Sequence, residues 1–502
     1  MEFLGIDIGT GGSRAVVINE QGAIVATASA DHAPFASPEI GRAEQDPGDW
    51  WRAVCAAIRS ILAKDVAAQD IAAIGLAGQM HGSVLLDEKD DVLRPALLWC
   101  DQRTGAQCKQ INETLGRAKV VELVSNPAVT GFTLPKLLWV REHEPEIWAG
   151  VRSVLLPKDY IRFRLSGDKA SDVADSSGTL LFDVRNRRWS REMLSAFDID
   201  ESLMPTVYES IEATGVISSM GAASTGLRAG TPIVAGAGDN AAGAVGMGIV
   251  RPGMASATIG TSGVIFVVTE RPAFDPKGRI HTLCHAVPNR WHNTGVTLSA
   301  GLSLQWFRNN LGNLRTYDEL TREAENAPVG SDGAIWLPYL MGERAPYLDP
   351  TARAAFVGLT ASHTHAHLTR AVLEGVAFSL RDSIEIFREL GAAIGSVRLG
   401  GGGARSRLWQ QIQADVYKHP VELINVDEGA AFGAAILAGV GVGAWKSVDE
   451  ACRQAIRVAK RLEPNENSAM ILDRNYAAYR LLYNALRPVA EIIAEKVKGG
   501  VV

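Results

Sequence analysis

Short apolar runs and amphipathic segments alternate along most of the chain. Residues 3–7, 15–19 and 24–29 are rich in apolar and β-branched side chains and are separated by polar or glycine-containing breaks, which predicts three strands joined by turns. Apolar residues then recur at helical spacing over residues 49–62, and residues 71–77 predict another strand. P-loop and dinucleotide folds instead lead from their first strand directly into a helix. The pattern therefore indicates an α/β protein of a different topology.

The opening pattern recurs in the second half of the chain. Residues 254–269 repeat the order of residues 4–18, with a strand, an Ile-Gly-Thr turn and a second β-rich run. A chain of 502 residues also exceeds what one hydrophobic core usually supports. We therefore predict two duplicated α/β domains, residues 1–245 and residues 246–502, with a cleft between them and helices at the C-terminal end.

Composition and charge narrow the classes of partner. The formal net charge of −6 offers no basic surface for nucleic acid or an anionic membrane, so we expect neither as a partner. The chain begins with a strand pattern, without the basic and apolar regions of a secretion signal. Its five cysteines lack metal-ligand spacing, which predicts a reducing, cytoplasmic location.

A single acid, Asp239, stands in a long uncharged segment. It is the only charged residue between Arg228 and Arg251, and a carboxylate in weakly polar surroundings costs free energy unless it is paired, solvated or used. The apolar residues 232–235 predict a buried strand, and the small residues after Asp239 predict the start of a helix. Asp239 would then lie at a strand-to-helix turn, where α/β proteins often place reacting groups. The alternative is an N-cap aspartate that accepts hydrogen bonds from helix amides.

Glycine-containing turns follow the first strand of each predicted domain. The run from Asp7 to Ser13 offers backbone amides and hydroxyl groups to an oxyanion, together with one carboxylate. An acid beside a bound phosphate requires a divalent cation between the two. The turn at residues 258–263 repeats the arrangement without the acid, so the two turns together would grip one polyphosphate. For the first turn, the alternative is an ordinary hairpin turn capped by Asp7.

Four consecutive glycines, residues 400–403, lie between a predicted strand at 396–399 and a predicted helix at 407–417. A segment without side chains lets a flat ring such as adenine lie against the backbone, which favours a nucleotide site. Close packing of the strand on the helix is the alternative. The sequence contains neither Gly-x-x-x-x-Gly-Lys-[Ser/Thr] nor Gly-x-Gly-x-x-Gly, so the common nucleotide motifs are absent.

A polar turn, residues 79–82, follows the predicted buried strand at 71–77 and contains His81. Polar groups at the carboxyl end of such a strand are placed to bind a small polar ligand, although a lone histidine is more often structural. Trp99, Asp101 and Arg103 follow another apolar run and would join the same pocket. For the last two, a structural ion pair is the favoured interpretation.

These motifs, in this order, resemble the FGGY family of carbohydrate kinases, whose fold belongs to the actin/hexokinase/Hsp70 (ribonuclease H-like) superfamily. Residues 131–143 resemble one family signature and residues 357–375 the other, and the resemblance extends over nearly the whole chain. It implies two actin-like domains, of which the N-terminal domain binds sugar and the C-terminal domain binds nucleotide.

The resemblance also implies roles for individual residues. Asp239 would be the catalytic base, and Asp7 would bind Mg²⁺. Cys100 departs from the family, whose members commonly have Asn there, on the sugar side of the site. The sugar contacts would come from Met80, His81, Asp239 and Asn240, and the nucleotide contacts from Thr10, Gly11, Thr261, Gly301, Gln305, Gly402 and Ser406.

The expected reaction is the ATP-dependent phosphorylation of the terminal hydroxyl of a ketopentose, D-xylulose to D-xylulose 5-phosphate. The alternatives are a kinase for ribulose, erythritol or glycerol, and an ATPase of the actin-like superfamily that has no sugar acceptor. By the same resemblance glycerol is disfavoured, because glycerol kinases carry Arg-Glu where this chain has Met80 and His81. The expected partners are therefore a small-molecule sugar and ATP, and the relatives suggest a homodimer.

Overall fold

The computed structural model describes residues 1–64 and 66–499, which divide into two compact units. Each unit is built around one large sheet, so the predicted α/β class is confirmed. The first unit comprises Met1–Arg251, Thr269–His292 and Val426–Arg457, and the second comprises Pro252–Val268, Asn293–Asn425 and the chain from Val458 onward.

Strands and helices alternate along the chain, as the apolar pattern predicts. In chain order the strands are β1 (Glu2–Ile8), β2 (Gly12–Asn19), β3 (Ile24–Asp31), β4 (Glu44–Gln45), β5 (Ile71–Gly78), β6 (Val84–Leu86), β7 (Ala96–Leu97), β8 (Ser153–Leu155), β9 (Ala170–Asp172), β10 (Phe182–Asp183), β11 (Arg188–Trp189), β12 (Thr206–Tyr208), β13 (Ala213–Val216), β14 (Pro232–Val234), β15 (Ala237–Gly238), β16 (Met254–Ile259), β17 (Gly263–Thr269), β18 (His281–Cys284), β19 (Trp291–Thr297), β20 (Ile335–Leu337), β21 (Ala355–Val357), β22 (Ser396–Gly401), β23 (Val421–Ile424) and β24 (Val458–Leu462). The helices are α1 (Pro47–Leu62), α2 (Gly105–Leu115), α3 (Arg117–Val124), α4 (Thr133–His143), α5 (Pro145–Gly150), α6 (Pro157–Ser166), α7 (Val173–Ser176), α8 (Arg191–Ala196), α9 (Ser219–Thr225), α10 (Asp239–Gly246), α11 (Gly301–Asn310), α12 (Tyr317–Ala324), α13 (His365–Glu389), α14 (Arg407–Tyr417), α15 (Gly429–Gly441), α16 (Val448–Ala455) and α17 (Glu466–Gly499).

The sheet of the first unit has the strand order β13–β14–β5–β1–β2–β3, and β15 also pairs with β5. Its central strand β1 is covered on both faces, since side chains alternate between the two faces of a strand. Leu4, Ile6 and Ile8 are fully buried in one core with Trp50 of α1. The alternate residue Gly5 faces α15, where an added Cβ atom would overlap the backbone of that helix.

Helix α15 is buried and apolar, and small residues let its neighbours approach its backbone closely. An added Cβ atom at Gly246 of α10 would overlap the backbone at Gly429, and one at Gly433 would overlap the backbone of α10. Close packing of this kind leaves α10 little freedom to shift. Because α10 begins at Asp239, the contact with α15 positions that carboxylate.

The sheet of the second unit includes the strand order β19–β17–β16–β22–β23–β24. This order matches β3–β2–β1–β5–β14–β13 of the first unit, strand for strand. In both units an antiparallel hairpin lies beside a parallel strand, with Ile8 opposite Gly78 in one and Ile259 opposite Gly401 in the other. The predicted duplication is confirmed. None of the helices in the described part of the chain is both long and apolar enough to cross a membrane.

Candidate functional site

Three strand ends of the first unit meet at one edge of its sheet. Ile8 at the end of β1 pairs with Gly78 at the end of β5, and Gly78 also pairs with Gly238 at the end of β15. The turns that follow these strands carry the Asp7–Ser13 run, the polar turn at 79–82, and Asp239. The carboxyl ends of parallel strands are the usual position of a ligand site in α/β sheets. The structure therefore brings together three of the turns that the sequence analysis selected.

Asp239 is the first residue of α10, and the residue is partly buried. The N-cap position belongs to Gly238, and no side chain caps the helix, so the N-cap interpretation of Asp239 is wrong. Burial raises the pKa of the Asp239 carboxyl group to about 7, and the negative charge of Asp7 adds to the shift. A carboxylate that titrates near neutrality is suited to accept a proton from a substrate hydroxyl.

Asp7 lies at the end of β1, and burial raises its pKa to about 6 against the opposing charge of Arg14. Its Oδ1 atom is buried and has no hydrogen-bond partner among the described residues. A buried carboxylate oxygen without a partner is costly, and a divalent cation with oxygen ligands would compensate it. The unpartnered oxygen of Asp7 therefore fits one ligand position of Mg²⁺.

The turn after β1 is tied to the neighbouring turns through Thr10. Its Oγ1 atom donates to Oε1 of Gln79 at 3.1 Å and accepts a hydrogen bond from Nε1 of Trp99 at 3.0 Å. Its carbonyl oxygen accepts from Nε2 of Gln45 at 3.1 Å. Gly11, at the exposed tip of the turn, has no atom within 4 Å of the position that a Cβ would occupy. These contacts keep the turn at the sheet edge and leave its tip open.

Met80 and His81 lie between Gly178 and Gly238. The Nδ1 atom of His81 is 2.7 Å from the carbonyl oxygen of Gly178. A Cβ atom added at Gly238 would lie 2.8 Å from Cγ of Met80, so this side chain packs directly against the residue that precedes Asp239. Met80, one of the four residues predicted to bind sugar, thus packs beside the predicted base, and His81 follows it in the same turn.

The signature segment 131–143 supports His81 from its other side. The imidazole ring stacks on Phe132 with a centroid separation of 4.4 Å. The backbone carbonyl of His81 accepts hydrogen bonds from Oγ1 of Thr133 at 3.1 Å and from Nζ of Lys136 at 2.8 Å. Lys136 is fully buried, and burial lowers its pKa to about 7. The signature therefore has a physical role, which is to hold the backbone of His81.

Asp101 and Arg103 form the ion pair that the sequence analysis favoured. The guanidinium group donates to both carboxylate oxygens at 2.7–3.0 Å, and it also pairs with Glu44 at 2.7 Å. It lies over the ring of Trp139 at 4.7 Å. This group is structural, whereas Trp99 reaches the site through its bond to Thr10.

A buried charge cluster behind Asp239 was missed by the sequence analysis. Lys158, Asp159 and Asp172 have no solvent exposure, and Nζ of Lys158 lies 2.5 Å and 2.9 Å from the two carboxylates. Nζ also donates to the carbonyl of Ala235 at 3.1 Å, in the segment that leads to Asp239. Asp175, whose pKa burial raises well above its usual value, lies against Gly238. An adjacent Lys-Asp pair in the apolar context of residues 155–160 was the only signal.

The second unit contains a cavity of about 580 Å³ beside its hairpin turn. The predicted nucleotide residues Thr10 and Gly11 belong to the turn of the first unit described above. The other five, Thr261, Gly301, Gln305, Gly402 and Ser406, all line this cavity, together with Ile259, Gly260, Leu304, Thr316, Tyr317, Asp318, Thr321, Gly403, Arg405 and Trp409.

The glycines at this cavity are required for different structural reasons, and one of them is not required by packing. An added Cβ atom at Gly301 would overlap the carbonyl oxygen of Gly260, and Gly401 has a φ of 70°, which favours glycine. Gly403 packs against Ile259, where a Cβ atom would lie 2.6 Å from the side chain. At Gly402 the nearest atom would be 3.7 Å away. Gly402 is therefore not required by packing, and its missing side chain leaves room in the cavity.

Comparisons with known proteins agree with this geometry. Residues 2–246 match the model of the N-terminal domain of the FGGY family of carbohydrate kinases, and residues 255–442 match that of its C-terminal domain. The xylulose kinase of Escherichia coli (strain K12) is 41% identical over 495 residues, 97% of this chain and 99% of the relative. The xylulose kinase of Bacillus subtilis (strain 168) is 38% identical over 481 residues, 96% of each chain. A crystal structure of a "xyloylose kinase" from Brucella ovis is 38% identical with a TM-score of 0.92, over 97% of this chain and 100% of that chain.

Proposed function

Because this chain belongs to the FGGY family of carbohydrate kinases, we propose that it transfers the γ-phosphoryl group of ATP to the terminal hydroxyl of D-xylulose, giving D-xylulose 5-phosphate. A kinase of this family has a small-molecule sugar and ATP as its substrates. The choice of xylulose is supported by relatives of that name that match over nearly the full length of the chain. The observation that carries the proposal is the placement of a carboxyl group with a near-neutral pKa beside the Met80–His81 turn.

Asp239 acts as the base in this proposal. Its carboxylate accepts the proton of the terminal sugar hydroxyl as the oxygen attacks the γ-phosphorus atom. Met80, His81 and Asn240 bind and orient the sugar, and residues 1–245 form the sugar-binding domain. Orientation matters because a correctly held hydroxyl needs no further reorganisation before the reaction.

Asp7 would hold Mg²⁺, since its buried Oδ1 atom has no other partner among the described residues. When bound, the cation offsets the negative charge of the phosphate oxygens. The pKa of Asp7 is raised because burial removes its carboxyl group from water, and the charge of Arg14 offsets this only in part. Protonated Asp7 would bind a cation poorly, so the protein needs this group ionised.

The cavity of the second unit would take the nucleotide. The proposed nucleotide-binding domain, residues 246–502, contains all of that unit. Gly402 and Ser406 border the open part of the cavity, where adenosine would lie against backbone. Thr261 would contact phosphate oxygens through its amide and hydroxyl hydrogens. Thr10 and Gly11, in the turn of the first unit, stay predicted nucleotide contacts. Gly301 and Gln305 would complete the contacts from α11.

The location and the oligomeric state belong to the same proposal. Five cysteines are free in the described structure, which supports a reducing, cytoplasmic environment. A homodimer remains a prediction from the family resemblance, and light scattering of the purified protein would test it.

The test is ATP turnover with Mg²⁺ in a coupled assay against D-xylulose, D-ribulose, L-ribulose, glycerol, erythritol and no acceptor. The proposal expects strong stimulation by D-xylulose and little by the others, because a few pocket atoms decide between epimers. Stimulation by a different polyol would retain the kinase and replace the substrate. Turnover that is indifferent to every acceptor would refute the proposed function.

A further inference from the structure

The hydrogen bond between His81 and Gly178 decides which nitrogen of the imidazole is protonated. Nδ1 of His81 lies 2.7 Å from the carbonyl oxygen of Gly178. Because a carbonyl oxygen can only accept, Nδ1 must carry the hydrogen, and in the neutral ring Nε2 is then the accepting nitrogen. The other tautomer would present a donor at Nε2 instead.

The space for the Met80–His81 pair exists because two residues lack side chains. A Cβ atom added at Gly178 would lie 2.5 Å from Cε1 of His81 and 3.2 Å from Cε of Met80. The first distance is far inside van der Waals contact. On the opposite side, a Cβ atom at Gly238 would lie 2.8 Å from Cγ of Met80. Gly178 therefore adjoins both residues of the pair, and Gly238 adjoins Met80.

The segment that carries Gly178 cannot easily move away. The hydroxyl of Ser177 donates to the carbonyl of Val173 at 2.6 Å, and that of Thr179 donates to the carbonyl of Ser176 at 2.7 Å. All five of these residues are buried. Hydroxyl bonds on both sides of the glycine therefore hold its carbonyl group in place.

The backbone of His81 is equally constrained. Its φ of 67° lies in the left-handed region, and its carbonyl is held by Thr133 and Lys136. Overlap with a new methyl group at Gly178 would therefore be relieved by rotation of the imidazole about its side-chain torsions. That rotation breaks the hydrogen bond from Nδ1 to the carbonyl oxygen of Gly178 and moves Nε2 away from its position.

We propose that Gly178 is a positioning residue of the sugar site. Its carbonyl selects the Nδ1–H tautomer of His81, and its missing side chain leaves the place that the imidazole occupies. This inference rests on the proposed function, because it takes His81 as a sugar ligand. The residue itself does not contact the sugar and acts through His81.

The first test is Gly178→Ala, with steady-state kinetics for both substrates. We expect the KM for D-xylulose to rise about tenfold to a hundredfold, with a smaller change in kcat, and the KM for ATP to remain unchanged. Gly105→Ala is the matched control, since nothing lies within 4 Å of the added atom at this exposed start of α2. Equal KM values for D-xylulose in the two variants would overturn the proposal.

A double-mutant cycle separates positioning of His81 from a general structural effect. In a His81→Ala background there is no imidazole to displace, so Gly178→Ala should add less than a twofold change in the KM for D-xylulose. Additive effects of the two substitutions would mean that Gly178 does not act through His81, and would refute the inference.

A measurement on the unmutated protein keeps the proposal testable if Gly178→Ala fails to fold. The ¹⁵N shifts of the His81 ring, assigned by difference from His81→Ala, should show protonated Nδ1 and unprotonated Nε2. The opposite tautomer would overturn the inference. Failure of the proposed function is recognised separately, because the unmutated enzyme would then show no turnover that depends on D-xylulose.

Discussion

Replacing the carboxyl group of Asp239 by an amide should abolish most of the activity and stabilise the protein at alkaline pH. Asp239→Asn keeps the shape of the side chain and removes its ability to accept a proton. A general base contributes about 10²- to 10⁴-fold to a rate, so kcat should fall by roughly that factor. Sugar binding should change only modestly, because the amide still offers hydrogen bonds.

The stability effect follows from the raised pKa. In the folded protein the Asp239 carboxyl group has a pKa of about 7, against a usual value of 3.8. Folding therefore favours the protonated form. The wild-type protein loses stability as pH rises from 3.8 through about 7. A shift of about three units corresponds to at most ~4 kcal/mol at about 1.4 kcal/mol per unit. Partial solvent exposure reduces this to ~1–2 kcal/mol.

Thermal unfolding at two pH values measures this effect. The amide cannot ionise and so avoids the cost of burying a charge. At about pH 8 the variant should therefore unfold roughly 1–3 °C above the wild type. At about pH 5 the folded carboxyl group is already protonated, so the gain should fall to roughly a third. Asp87→Asn is a control that should lower the melting temperature at alkaline pH. Hydrogen bonds from the backbone amides of Asp91 and Lys89 stabilise the Asp87 carboxylate and lower its pKa.

The reasoning about Asp239 would be refuted by either of two results. A kcat within tenfold of the wild-type value would remove Asp239 from the role of base. A variant that is less stable than the wild type at alkaline pH would show that the carboxylate is not destabilised by its surroundings. The acid limb of kcat/KM supplies a further check, because it should report a group with a pKa of about 7 in the wild type.

Three other substitutions test separate parts of the site. Asp7→Asn should raise the Mg²⁺ concentration needed for half-maximal rate, and an unchanged Mg²⁺ titration would contradict the assignment of that residue. Lys158→Met leaves Asp159 and Asp172 buried without their cation and should lower the free energy of unfolding in urea by about 3–5 kcal/mol. An unchanged unfolding midpoint would show that the cluster is not ionised as described. Gly402→Leu should raise the KM for ATP while leaving the melting temperature nearly unchanged, because its Cβ atom meets no atom nearer than 3.7 Å. A normal KM for ATP would place the nucleotide elsewhere.

Local patterns along the chain were sufficient to predict the elements that frame the site. The strands at 3–7 and 71–77 and the helix at 49–62 correspond to β1, β5 and α1 within a few residues. Each of these predictions depended on side-chain periodicity, which reflects burial of one face or both. The repeated Ile-Gly-Thr turn likewise predicted the duplication, because the same short pattern folds into the same hairpin in both units.

The candidate site was only partly predictable. Asp239 stood out because a lone acid among small apolar residues needs an explanation, and its place at the start of α10 agrees with that reasoning. Asp175 and the buried Lys158 cluster did not stand out, since their partners are separated along the chain and meet only in the folded protein. The sequence around a charged residue does not show whether its side chain belongs to a buried network or lies on a solvated surface.

The sequence by itself determined the fold class, the duplicated hairpins and the set of turns that carry polar groups, because these depend on interactions between residues close along the chain. Only the tertiary structure decided the protonation of those groups. Burial raises the pKa values of Asp7 and Asp239, and the charge of Asp7 raises that of Asp239 further. The tautomer of His81 depends on a carbonyl 97 residues away. Desolvation and Coulomb interactions depend on distances in space, and these distances cannot be obtained from the order of residues along the chain.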